Sequence, residues 1–335
     1  MPLLPVLMLA AGENVLLGGQ AVIEGVMMRA PDAWAVAVRR ADGRIVTTRR
    51  VIARLSDRYP FLRWALVRGA AALIQSLILG IQSLNFSAEQ AVEDGGSAAR
   101  LGATTAPAEA PVTEAEGAGG KAGTWAVASS LLIAAGLGVG IFLYLPLLLT
   151  EWMRRSLPLL EGRVAFNLTD GLLRLGFFLV YIVGISLLRD IRRLFQYHGA
   201  EHKVVATYEA GEDLTVDNAR RHSPLHPRCG TSFLLFVMVI SVLVFAVIGS
   251  GVSLAAKLTL RLVLVPLIAG LAYEVIRLSA RHRKNLLCAA LIRPGLWLQR
   301  LTTRQPEDDQ LAVAIQALLA ALGGDPRARG EYVPL

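Results

Sequence analysis

The chain has 335 residues, 54% hydrophobic and 18% charged, with a mean hydropathy of +0.51. A soluble domain carries about a quarter charged residues, so this balance argues against a soluble globular enzyme and excludes disorder over most of the length. The net charge of +8 comes from 34 basic and 26 acidic residues, and its distribution points to the cytoplasmic margins of a membrane protein rather than to nucleic acid.

Met1 to Gly12 is apolar without an Arg or Lys, so no secretory signal is expected there. Gly18 to Arg29 (GGQAVIEGVMMR) opens a β-rich segment. AWAVAVRR alternates, Asp42-Gly43 is a hairpin turn signal, and Arg44 to Ile52 supplies another strand. A small β-meander over about Gln20 to Ile52 is expected.

Five apolar stretches follow: 69–88, 124–149, 164–188, 231–256 and 258–276. About 20 residues of helix cross a bilayer, so the last four are expected to span. Gln75, Gln82, Asn85 and Glu89 form one polar stripe on the first, which is expected to lie at the interface or against the bundle. The stretch from Glu89 to Gly123 is rich in Ala, Gly, Thr, Pro and Glu and reads as a flexible linker. Gly295 to Arg300 suggests an interfacial turn. Asp308 to Leu322 reads as a soluble helix with an acidic start.

Nine Arg lie between Arg39 and Arg68, seven Lys or Arg between Arg189 and Arg228, and seven between Arg277 and Arg304. The loop 150–163 carries only three Arg, offset by two Glu, and 250–257 a single Lys. The positive-inside rule then places both termini in the cytoplasm of a multi-pass protein. The fold expected is mainly α: about four transmembrane helices, a small N-terminal meander and cytoplasmic helices. The segments are 1–60 (β-rich), 61–88 (interfacial or bundle-packed helix), 89–123 (linker), 124–188 (hairpin), 189–230 (cytoplasmic His/Cys loop), 231–280 (hairpin) and 281–335 (cytoplasmic C-terminal segment).

Four of the five histidines lie between His198 and His226. If the helix of 164–188 continues through 189–208, His198 and His202 share a face and can grip one ion, with Glu201 beside them as a base. H-x-x-E-H is the inverted zinc-protease pattern. His226-Pro-Arg-Cys229 adds two ligand-type side chains in a turn. A divalent metal, zinc above others, suits this set: His198, His202, His226 and Cys229. The bland alternative is a solvated histidine pair and an ordinary helix junction. Glu274, inside the last apolar stretch, reads either as an i,i+3 partner of Arg277 or as a third ligand or supporting carboxylate of the His cluster. Glu24, between apolar neighbours, could face the same site. Asp170 and Arg174 are expected to neutralise one another. Cys229 and Cys288 are too few for a disulfide scaffold.

GGQAVIEGVMMR, YHGAEHKVV, HPRCGTSFL, AYEVIRL and QRLTTRQPEDDQLAVAIQAL together resemble the YqhQ-like family of bacterial membrane proteins, domain of unknown function 1385. The resemblance runs from about Gly18 to Leu319, skipping 89–123. It implies a polytopic protein of the bacterial inner membrane and a metal-dependent enzyme, with no reaction attached. Two classes of function stay open. One is a metal-dependent enzyme, hydrolase-like, with Glu201 as its base. The other is a non-catalytic assembly factor, scaffold or transport component with a structural metal clip. The partners expected are the lipid bilayer and either a second copy, suggested by Gly136, Gly138 and Gly140, or a membrane complex.

Overall fold

A computed structural model of the chain describes residues 17–52, 59–102, 129, 132–227, 229–246, 252–281 and 286–323. The expectations for Met1–Gly12 and for residues 103–123 of the linker fall outside that range. The meander forms as four antiparallel strands in the order β1-β2-β3-β4: Gly18–Val22, Gly25–Arg29, Ala33–Arg39 and Ile45–Val51. Asp42-Gly43 makes the last turn. Gly43 has φ +85°, and Asp42 Oδ1 accepts from the Arg44 amide at 2.9 Å.

Nine helices are described. They are α1 Val67–Gly102, α2 Leu132–Arg154 with a π-turn at Gly140–Tyr144, α3 Arg163–Ser186, α4 Arg189–Glu209 and α5 Val216–Arg221. They continue as α6 Gly230–Phe245, α7 Leu254–Arg281, α8 Leu286–Thr302 and α9 Asp308–Leu322. By length and composition, four of them could cross a membrane: Val67–Glu93, Leu132–Arg154, Arg163–Ser186 and Leu254–Ser279.

Several boundaries differ from the expectation. Helix α1 runs to Gly102, into the segment read as linker. The expected span 231–256 is instead α6, and Ser253 starts a new helix by accepting from the Ala256 amide at 3.2 Å. Helix α3 does not continue into α4: Leu188 is extended, with ψ 137°, and breaks the ladder. Gly295 to Arg300 is not a turn but part of α8, where the missing Cβ lets the helix approach Ser232.

The contacts fall into two units. Unit one lies within Met1–Gly96, Gly184–Phe236 and Gly270–Leu335, and unit two within Ser97–Val183 and Val237–Ala269. Unit one is built on the sheet, whose central strands are buried on both faces. On one face Val26, Met28, Ala35 and Ala37 meet Tyr197, Ala200 and Val204 of α4 and Leu311, Ala314 and Leu318 of α9. The small residues on both partners let the helices lie close. On the other face Val22, Met27, Trp34, Val36 and Val38 meet Leu79 and Phe86 of α1. The two adjacent methionines thus fill two different cores, as the period of two requires. Unit two packs Phe245 and Ile268 together, and Phe142 edge-on against Phe178 and Tyr181.

Candidate metal centre

Helix α4 turns one side to the sheet, and this fixes where the next side points. His198 and His202, one turn apart, have ring centroids 4.5 Å apart. Each is held through Nδ1, His198 by the Thr302 carbonyl at 2.8 Å and His202 by the Pro224 carbonyl at 2.6 Å. A carbonyl only accepts, so Nδ1 carries the proton in both rings and Nε2 keeps its lone pair. His198 Nε2 lies 3.2 Å from Cys229 Sγ, and His202 also bonds Cys229. The ligand atoms of His198, His202 and Cys229 all lie within 4.8 Å of one another. One thiol proton cannot satisfy two imidazole lone pairs.

Cys229 sits just before α6. The Thr231 amide donates to its sulfur at 3.4 Å, and the Thr231 hydroxyl lies at 3.1 Å. Two oriented imidazoles and a cysteine sulfur are a donor set that suits zinc.

Glu201 is buried beside them. Its carboxylate accepts from the Gly19 amide, while Oε2 has no hydrogen-bond partner. Gly19 makes the approach possible, because a Cβ there would come 2.9 Å from Glu201 Cδ. Burial pushes the Glu201 carboxyl above the usual carboxylate range. The charges of His198 and His226 and the Gly19 amide oppose that rise. Burial also lowers His202, against the pull of Cys229.

The other expected residues are placed differently. His226 lies close, its ring 5.7 Å from that of His202, but its Nε2 faces Glu209 Oε2 at 3.4 Å. Glu24 is engaged by Arg193 and accepts from the Tyr197 hydroxyl at 3.2 Å. That ion pair holds Arg193 firmly protonated, and burial raises the Tyr197 hydroxyl. Glu274 is held by both ends of the Arg68 guanidinium, at 2.6 and 2.5 Å, and Arg277 makes only a secondary contribution. Among the described residues neither Glu24 nor Glu274 joins the His/His/Cys group.

Two supporting residues are not singled out from the sequence. Gln299, buried in α8, accepts from the His226 amide and donates to the His226 carbonyl, both at 2.8 Å, and donates to Ser232 Oγ at 3.0 Å. It pins the turn that carries Cys229. Buried Lys203 donates to the carbonyls of Arg220 and His222 at 2.8 and 2.6 Å, closing the C-terminal end of α5. Burial lowers its pKa. Its place directly after Glu201-His202 is the one signal that pointed to it.

The family model described as "Protein of unknown function (DUF1385)" matches residues 64–323. A relative from Bacillus subtilis (strain 168), described as "Uncharacterized protein YqhQ", is 34% identical over 305 residues, 90% of each chain. No solved structure matches. With the motifs around His198, His202 and Cys229 inside the matched range, the chain belongs to the DUF1385 family.

Proposed function

We propose that this protein is a metal-dependent, hydrolase-like enzyme of the bacterial cytoplasmic membrane, with its centre on the cytoplasmic side. The observation that carries the reading is the convergence of two imidazole Nε2 atoms on one cysteine sulfur, with both Nδ1 atoms spent on carbonyls. His198, His202 and Cys229 would hold the ion, zinc above others. When bound, it would supply Lewis acidity to polarise an oxygen. Thr302 and Pro224 keep the two rings in the tautomer that ligation needs. Glu201, fixed at one oxygen by Gly19 and free at Oε2, takes a proton from the reacting group. Its raised affinity for protons suits it to that role.

The burial of His202, Cys229 and Glu201 supports a second reading, a structural clip in a non-catalytic assembly factor or transport component. His226, one ring away, would then close the coordination. One comparison separates the two. Under the enzyme reading, Glu201→Gln keeps the metal and loses cellular function. Under the clip reading, it is nearly silent. Under both, His202→Ala loses metal and thermal stability, because each ligand is a large share of the binding energy. A His202→Ala protein with unchanged metal content, melting temperature and function would overturn both.

A second copy would pack on Gly136, Gly138 and Gly140. A Cβ at any of these would meet no described residue within 4 Å, which leaves room for a close helix from another chain.

A further inference from the structure

We propose that unit two holds a binding site for a small monovalent anion, built on Arg174 and Arg261 and reached from the end where Glu151 meets Lys257. The expected Asp170–Arg174 pair is present, with Arg174 Nη2 donating to Oδ2 at 2.6 Å. A second cation shares the same carboxylate: Arg261 Nη1 donates to Oδ1 at 2.8 Å. All three side chains are at most 3% exposed. Arg174 also donates to Ser241 Oγ at 3.0 Å. Both guanidiniums lie over the Phe245 ring, at 4.9 and 5.0 Å from its centroid. One carboxylate against two guanidiniums leaves one positive charge uncompensated. The ring face offsets part of it but does not neutralise it. The Nε atoms of Arg174 and Arg261 are both buried with no acceptor. Unspent donors and excess charge of one sign at one place call for an anion.

Depth selects the kind of anion. Asp170 and Arg174 lie about 10 and 16 Å along α3 from its first residue, and Arg261 about 10 Å along α7. A phospholipid headgroup stays at the helix ends, so the ligand is a compact soluble ion of the halide or short-carboxylate class. A route is present. Lys257, one turn before Arg261, is buried over Phe166 at 4.3 Å and bonds Glu151 at 3.0 Å. Glu151 lines a cavity of about 890 Å³ with Trp152, Arg154, Arg155 and Ser253. Cations therefore step from the cavity to Lys257, Arg261 and Arg174, with two carboxylates, Glu151 and Asp170, between them.

The test uses the purified full chain in lipid nanodiscs. Its melting temperature is titrated with sodium chloride and with sodium acetate, against sodium gluconate at equal ionic strength. A saturable rise with a compact anion and none with gluconate is expected, and the stronger of chloride and acetate identifies the class. Arg174→Gln removes the excess charge but keeps the Asp170–Arg261 pair, and it should raise the half-saturating concentration about tenfold or more. Asp170→Asn removes the competing carboxylate and should lower it. This second variant decides the matter if Arg174→Gln does not fold. Wild-type melting that ignores anion identity, or a weaker response in Asp170→Asn, would overturn the proposal.

Discussion

At the scale of single residues, the glycine pair that opens the sheet separates a functional constraint from a permissive one. A Cβ on Gly18 meets nothing within 4 Å, while one on Gly19 would overlap the Met27 carbonyl oxygen and press on Glu201. Gly19→Ala must therefore shift both the β1–β2 pairing and the carboxylate that the Gly19 amide holds. The expected cost is about 1–3 kcal/mol, read as a lower melting temperature together with lost function, while Gly18→Ala leaves both unchanged. Equal effects from the two would mean that Glu201 is not positioned by this strand. The His198, His202 and Cys229 cluster is legible because local geometry brings it together: four residues of helix place His198 and His202 on one face, and a short turn carries Cys229. Glu24 and Glu274 mislead for a physical reason. A carboxylate between apolar neighbours looks like a site residue until its arginine is found, and Arg193 and Arg68 lie 169 and 206 residues away in sequence.

At the scale of elements, the pattern predicts what is amphipathic or capped and misses what is joined over long range. Helix α9 spans Asp308–Leu322 as expected, and a capping box between Glu307 and Gln310 and a left-handed Gly323 account for both ends. The meander is equally legible from its alternation and from Asp42-Gly43. The α3–α4 break is not, because no Gly or Pro marks Leu188 and only the packing of α4 on the sheet demands a new direction. The role of α8 is also hidden, since it acts through one amide. Gln299→Leu would take the side-chain acceptor from the His226 amide and one of two donors from the His226 carbonyl, which keeps the Cys229 amide, at about 1–3 kcal/mol. The Cys229 turn should loosen, so metal content should fall along with the melting temperature. Gln299→Glu keeps an acceptor for the His226 amide and should be milder. A Gln299→Leu protein that melts normally and retains full metal would show that the turn holds itself.

At the scale of the whole molecule, one core constrains the topology. Residues of the sheet, of α4 and of α9 share a single hydrophobic cluster, so they lie on one side of the membrane. The chain must then cross an even number of times between Ile52 and Arg189. Three of the described helices in that interval are long and apolar enough, Val67–Glu93, Leu132–Arg154 and Arg163–Ser186, so on the described residues one of them stays out. The contacts select the first. Leu79 and Phe86 pack on the sheet, Arg29 donates to Gln75 at 2.7 Å, and Gln20 donates to the Ser76 carbonyl at 3.2 Å. A helix laid along an open sheet cannot enter hydrocarbon without carrying unpaired strand edges with it. Leu73, Ile74, Leu77, Ile78 and Leu84 are exposed on α1, and their spacing gives an apolar stripe suited to the membrane surface. The same parity applies between Arg221 and Asp308: among the described helices there only α7 has the length of a span, so the shorter apolar α6 is expected to cross with it. Cysteine labelling on a Cys288→Ser background tests the arrangement. Ser156→Cys and Val252→Cys should react with an impermeant reagent in intact cells. Asp32→Cys, Asp217→Cys and Glu307→Cys should react only after permeabilisation, if the arginine clusters follow the positive-inside rule. External labelling of all three would invert the orientation and leave the parity intact. Labelling of Asp32→Cys and Asp217→Cys from opposite sides would break the shared core, and with it the packing of α4 that aims the two histidines.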